Sequence, residues 1–325
     1  MDGDNYKVHI VLLNWNAAAV TMACLNRLRQ WRTLQPTIWV VDNASVDDSI
    51  AVLSSHFPTI RLIQSKVNLG FSGGNNLALR QIISECPEDR NNLEPYILLL
   101  NNDAALDEQS LFHLIDTLHN NPQIGVVGPL FTHKNSPEQI VSAGGRDLAR
   151  HINSHLKVSQ VEPNLLESNQ PYDVDYVPGT VALLRTRLLR EVGLFDEAYF
   201  FSGEMADLCE RIKMQGYSCA ITPLARTYHD TGQSSAWRNN LYAYYILRNR
   251  FLFIRKFRRS QQAQLVAFWI AYGLAFMVKA ALRGEWASVR ATRLALIDGL
   301  NGRFGGPNER VHGSANRQMD KQING

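Results

Sequence analysis

Four short, mainly apolar runs punctuate the first 130 residues: Val8 to Leu13, Thr37 to Val41, Ile60 to Gln64 and Tyr96 to Leu100. Runs that do not alternate with polar residues suit strands covered on both faces, as in a parallel sheet. Between and after them, Ala17 to Arg32, Asp47 to His56, Gly74 to Cys86 and Asp107 to Asn120 read as helices. Strands alternating with helices predict βαβ units, hence an α/β domain on a mainly parallel central sheet. The pattern weakens into a polar, loop-rich stretch over 135–170 and returns in Val174 to Leu184 and Tyr199 to Ala220. An aromatic and basic helix is predicted over Asn239 to Phe257. After it, Ala263 to Leu282 contains an uncharged run, Leu265 to Val278. Its length falls between a buried or interfacial helix and a membrane span.

In open α/β sheets the ligand lies beyond the carboxyl ends of the strands. Those ends are polar here: Asn14-Trp15-Asn16, Asp42-Asn43-Ala44-Ser45 and Asn101-Asn102-Asp103. Any one of them is explained by turn and cap preferences. Three at one sheet edge point to a site. A carboxylate at Asp42 can accept from the ring N–H of a uracil or thymine, while Ser45 and Asp47 can cap the next helix. Asn68-Leu69-Gly70-Phe71-Ser72-Gly73-Gly74-Asn75-Asn76 runs from a turn into a helix, where small residues and free N–H groups suit a phosphate. It lacks the spacing and the place of a dinucleotide fingerprint, which excludes the usual dehydrogenase. Asp103 is either a turn aspartate or a ligand holding Mg²⁺ or Mn²⁺ against a diphosphate.

A fourth segment, Phe200-Phe201-Ser202-Gly203-Glu204-Met205-Ala206-Asp207-Leu208-Cys209-Glu210-Arg211, puts Glu204, Asp207 and Arg211 on one face of a predicted helix. Acids in a first turn also favour the helix dipole. Beside an apolar Phe-Phe pair, however, an acid is placed for a raised pKa and general-base work.

Charge separates the chain into two parts. From Arg255 onward there are 12 Lys/Arg against 4 Asp/Glu, within a net charge of +3 for all 325 residues. Basic residues around an apolar, aromatic helix fit an anionic membrane surface. A helix packed on the catalytic domain, a dimer contact and a single span are the alternatives. Nucleic acid is not expected, since no recognised binding module accompanies the charge. Cys24, Cys86, Cys209 and Cys219 form no CxxC pair, so a reducing compartment is expected. The amino terminus lacks the basic and apolar regions of a secretory signal, so a cytoplasmic protein, peripheral on the membrane, is the expectation.

The segments VVDNASVDDS, NLGFSGGNN, LLLNNDA, VPGTVALLR, FFSGEMADLCERI, YHDTGQSS and YYILRNR, in this order, resemble family 2 glycosyltransferases of the GT-A fold, in their rhamnosyltransferase-like branch. The resemblance spans about residues 7 to 257. It implies a GT-A domain over 1–257, with 258–325 as a helical, basic extension. It also implies an inverting, metal-dependent transferase in cell-surface polysaccharide assembly. The donor would be UDP- or dTDP-linked, with rhamnose a candidate sugar, and the acceptor a glycan or a lipid-linked sugar. Carried over residue by residue, Asn14, Asp42, Asn43, Asn68, Gly73, Gly74, Asn75 and Asn102 would line the donor. Asp103 would bind Mg²⁺ or Mn²⁺ with His229 as a second ligand, and Arg248 would meet the diphosphate or a neighbouring acid. One position departs: where the family's acid motif has its first Asp, this chain has Met205. Either the base has moved to Glu204 or Asp207, with Glu204 favoured for its reach, or the chain is a noncatalytic nucleotide-sugar or glycan binder on the same fold.

Overall fold

The structure, a computed structural model, describes residues 6–86, 94–229 and 236–307. Its first part follows the predicted alternation: β1 (Val8–Asn14), α1 (Ala18–Leu28), β2 (Thr37–Asp42), α2 (Ser49–His56), β3 (Arg61–Gln64), α3 (Gly70–Glu85) and β4 (Tyr96–Leu100). These strands lie in the order β3-β2-β1-β4, all parallel, with Asn14 opposite Asp42. Alternate residues turn to opposite faces, as the strand period requires. Val11, Val41 and Leu99 join Leu79 of α3 on one face, and Ile10, Val40 and Leu98 join Leu25 of α1 on the other. Both faces are therefore apolar, which is why the runs do not alternate.

Beyond β4 the sheet becomes mixed. It is built from β5 (Ala104–Leu106), β6 (Ile124–His133), β7 (Ser136–Ser142), β8 (Tyr172–Asp173), β9 (Val181–Arg185) and β10 (Ser218–His229). Helices α4 (Glu108–Asn120), α5 (Pro163–Glu167), α6 (Thr186–Val192) and α7 (Glu204–Met214) punctuate them. β9 runs antiparallel between β4 and β6, while β10 runs parallel to β6 and antiparallel to β5. The short link between β6 and β7 permits only antiparallel pairing.

The carboxyl-terminal helices are α8 (Ala236–Phe257), α9 (Gln262–Leu282) and α10 (Trp286–Leu300). Phe251, Trp269 and Leu294 from these three helices share one apolar cluster with Leu148, Ala149, Phe200 and Ala206. The boundary expected at residue 257 is therefore not a break in packing. Arg258, the first residue of the expected extension, bonds Asp147 at 2.7 Å and Glu210 at 2.6 Å.

Candidate active site

The polar strand ends meet in one hydrogen-bonded chain. Asn102 Nδ2 donates to Thr21 Oγ1 at 2.8 Å, and the Thr21 hydroxyl donates to Asn14 Oδ1 at 2.7 Å. Asn14 Nδ2 donates to Asp42 Oδ1 at 2.8 Å, and the Ser45 N–H donates to Asp42 Oδ2 at 3.0 Å. The ends of β1, β2 and β4 are thus stitched together by side chains that are themselves largely buried. Asp42 has no exposed surface, so it shapes the turn after β2 and does not face a ligand directly. Asn14 is likewise enclosed. Both were expected to line the donor; in the structure they support the exposed turn Val46–Asp48. That turn is fixed by Asn16, whose Oδ1 accepts from the Val46 N–H at 2.8 Å and whose φ is +49°.

The glycine-rich segment also plays a different part from the one expected. α3 begins at Gly70, so Gly73, Gly74 and Asn75 lie inside a helix with no N–H groups left over for a phosphate. A Cβ on Gly74 would sit 2.6 Å from Leu13, and Asn75 Nδ2 donates to the Phe71 carbonyl at 2.8 Å. Gly70 has φ +69°, and a Cβ there would lie 2.0 Å from the Phe200 carbonyl oxygen. The Phe71 N–H donates to that same carbonyl at 2.8 Å. Asn43 Nδ2 bonds Asn68 Oδ1 at 3.1 Å and the Gly70 carbonyl at 3.0 Å. Asn43 and Asn68 therefore clamp the α3 entrance, and glycine lets it press against the Phe200 loop.

That loop delivers the acids. Ser202 and Gly203 both take left-handed φ values, +69° and +97°, before α7 starts at Glu204. Asn249 Nδ2 reaches back from α8 to the carbonyls of Phe201 at 2.8 Å and Ser202 at 2.5 Å, holding the strained turn. The Glu204 carboxyl is buried, and its Oε2 has no hydrogen-bond partner among the described residues. Burial raises its pKa to about 7, with the negative charge of Asp207 adding to the rise. Asp207 has the opposite surroundings. It is fully buried, with Arg211 Nε at 2.7 Å on one oxygen and the Lys256 ammonium on the other. Both oxygens of this residue, expected beside Glu204 as a catalytic acid, are engaged by cations that hold α7 to α6 and α8, since Arg211 also donates to the Val192 carbonyl at 2.6 Å. Met205 packs under Gly179 and Phe71.

Asp103 follows β4 and is half-buried. The next residue, Ala104, pairs with His229 across β5 and β10, which places the two expected metal positions on neighbouring strands; the His229 side chain lies outside the described residues. Among the described residues no cluster of three or more His, Cys, Asp or Glu gathers. A single carboxylate fits Mg²⁺ or Mn²⁺ of the kind completed by substrate phosphates and water. The Asn101 N–H donates to the Thr180 carbonyl at 2.9 Å, so the Asp103 turn adjoins the Gly179-Thr180 segment that covers Met205. Thr180 also lines a cavity of ≈ 630 Å³ with Thr132, His133, His155 and Lys157.

The Arg248-Asn249-Arg250 segment of α8 is a backbone clamp. Arg248 is buried, donates to the carbonyls of Gly305 at 3.1 Å and Ala198 at 3.4 Å, and stacks on Tyr245. Among the described residues its guanidinium pairs with no acid. Thr21, Asn249 and Lys256 were missed, and Asn16 was read only as part of the polar end of β1. Only Asn249, lodged between two arginines in an aromatic helix, carried a sequence signal for a buried polar role.

The glycosyl transferase family 2 model matches residues 9–193. The N-acetylglucosaminyl-diphospho-decaprenol L-rhamnosyltransferase of Mycobacterium tuberculosis is 25% identical over 214 residues, covering 61% of this chain and 68% of that protein. The low-salt glycan biosynthesis hexosyltransferase Agl10 of Haloferax volcanii is 24% identical over 215 residues, 66% of this chain and 65% of that one. The mannosyltransferase PcManGT from Pyrobaculum calidifontis, solved with GDP-Man and Mn²⁺, is similar in structure with a TM-score of 0.55 at 14% identity. The match covers 92% of this chain and 89% of that one. The fold is GT-A, as the sequence motifs implied. With the matching model spanning more than half of the residues and most of the strands that carry the site, the chain belongs to glycosyl transferase family 2.

Proposed function

We propose that the protein moves a sugar from a nucleoside-diphosphate donor to a hydroxyl of a glycan or lipid-linked acceptor, in one inverting displacement with Glu204 as base. The observation that carries this reading is the Glu204 carboxyl, buried, unpartnered at Oε2 and poised at about pH 7. A general base works best with a pKa near the operating pH. As the acceptor oxygen forms its bond to the anomeric carbon, the bond from that carbon to the diphosphate oxygen breaks. The acceptor proton passes to Glu204, and the nucleoside diphosphate leaves. Asp103, with His229 on the adjoining strand, would hold Mg²⁺ or Mn²⁺, whose chemistry is to neutralise charge on the departing diphosphate.

The turn beyond Asp42 is assigned to the pyrimidine of a UDP- or dTDP-linked donor, and the cavity beside Thr180 to the acceptor. The mycobacterial relative, an N-acetylglucosaminyl-diphospho-decaprenol L-rhamnosyltransferase, supports rhamnose as a candidate sugar and a lipid-diphosphate-linked sugar as a candidate acceptor. Met205, buried where the family motif places its Asp, favours one rival: a binder of nucleotide sugars that transfers nothing. Release of nucleoside diphosphate from donor, with and without acceptor, separates the two. Turnover that collapses in Glu204→Gln while donor affinity stays is the expected result. Donor binding without release in the wild-type protein would establish the binder, and near-normal turnover in folded E204Q would move the base elsewhere.

A further inference from the structure

We infer that the outer face of α9 lies flat on an anionic bilayer surface and seats the catalytic domain there. Phe268, Leu274, Val278 and Leu282 recur at helical spacing along that face. Val278 is 61% exposed, Leu282 85%, and Trp286 at the start of α10 is 68%. Of the most apolar window of the segment 259–282, 17% is buried. A water-facing surface of this kind, continuous over the length of a helix and ending in an exposed tryptophan, matches interfacial helices.

Charge complementarity names the occupant. Arg259, Lys279, Arg283, Arg290 and Arg293 are all exposed around this face, and none forms an ion pair among the described residues. Between Arg259 and Leu300 the acids are Glu285 and Asp298. Glu285 is exposed, whereas Asp298 is buried and accepts from the Tyr244 hydroxyl at 2.8 Å. An apolar strip rimmed by unneutralised cations is the complement of acyl chains beneath anionic headgroups. A second copy of the chain would bring the same cations against one another.

Packing decides between lying on the membrane and crossing it. At 21 residues α9 spans about 32 Å, enough for the hydrocarbon core. Its inner face, however, is committed to protein. Trp269 Nε1 donates to the Ala149 carbonyl at 2.7 Å, and Arg250 lies 3.9 Å over the Trp269 ring. A Cβ on Gly273 would come within 3.0 Å of Leu296 in α10, so glycine permits the close seam. A crossing helix would surrender these contacts and expose Arg250, whereas an interfacial one keeps them all.

Flotation with vesicles tests this independently of sugar transfer, because it rests on α9 and the start of α10 and not on the site. The full chain is expected to float with vesicles of phosphatidylglycerol and phosphatidylcholine at about 0.15 M salt and not with phosphatidylcholine alone. Each cation near the surface is worth about fivefold in partitioning. Replacing Lys279, Arg283, Arg290 and Arg293 by Gln is therefore expected to lower the partition constant by nearly three orders of magnitude, about 600-fold. Leu274→Glu with Val278→Glu, both at exposed positions, is expected to abolish binding while the melting temperature and nucleotide affinity stay unchanged. Equal flotation of the variants, or a wild-type protein left in solution with the anionic vesicles, overturns the inference. So does a wild-type dimer by light scattering that L274E/V278E dissociates, since the face would then be a contact between copies.

Discussion

The strand-end cradle and the entrance of α7 are both buried, polar and close to the sheet edge, yet they are built on opposite terms. In the cradle, Asn102, Thr21, Asn14, Asp42 and Ser45 pass hydrogen bonds from one to the next, and no oxygen of Asp42 lacks a donor. At α7, Asp207 is closed off by two cations, while Glu204, three residues earlier, keeps a buried oxygen with no partner. A satisfied network rigidifies, and an unsatisfied buried acid holds free energy that chemistry can draw on. The two regions differ in whether their acids are satisfied, not in residue type or burial, and the proposal that Glu204 is the base rests on that difference.

Four measurements break or sharpen this contrast. The largest effect is expected from Glu204→Gln, with turnover falling ~10²–10⁴-fold at unchanged donor affinity. In the wild-type protein kcat/KM should fall as pH drops below about 7, because the base must be ionised. A flat profile between pH 5 and pH 8, on the order of a few pH units around that pKa, would remove Glu204 from the chemistry. Next, Asp207→Asn strands Arg211 and Lys256 and should cost about 3 kcal/mol in chemical denaturation.

Third, Glu204→Gln should stabilise the protein at high pH. The folded-state pKa is raised from 4.5 to about 7, so the protonated acid stabilises the fold below the unfolded value, and that contribution is lost as pH rises through 7. Above about pH 8 the glutamine variant should gain up to about 3 kcal/mol, and the gain should vanish near pH 4. Smallest is Asp42→Asn, which disturbs a shared network and should cost about 1–3 kcal/mol of stability. Its kcat should be near normal, with any loss confined to donor KM. A collapse of kcat in a stable D42N protein would erase the distinction between the two regions.

The parallel half of the sheet was legible because its strands are covered on both faces and so are written as continuous apolar runs. The antiparallel half was not, since β8 has two residues and β7 lies in a polar stretch. Chemistry was legible as position rather than as role. The sequence put Asp42, Asp103 and Glu204 on loops that adjoin one another, through Gly70 against Phe200 and Asn101 against Thr180. It could not show that Asp42 faces inward or that Lys256, from a helix 49 residues away, would neutralise Asp207. Those facts depend on long-range partners that no local spacing encodes. Gly74 and Arg248 also have packing tasks that the composition of their segments did not announce.

Asn249 has a practical consequence for anyone shortening this chain. The amide that grips the carbonyls of Phe201 and Ser202 belongs to a helix whose other side rests on α9 and α10. A trimmed protein, cut to improve handling in solution, would loosen the splint that aims its own acid. On the proposed reading, a surface that holds the last three helices would bear through Asn249 on the turn that positions Glu204.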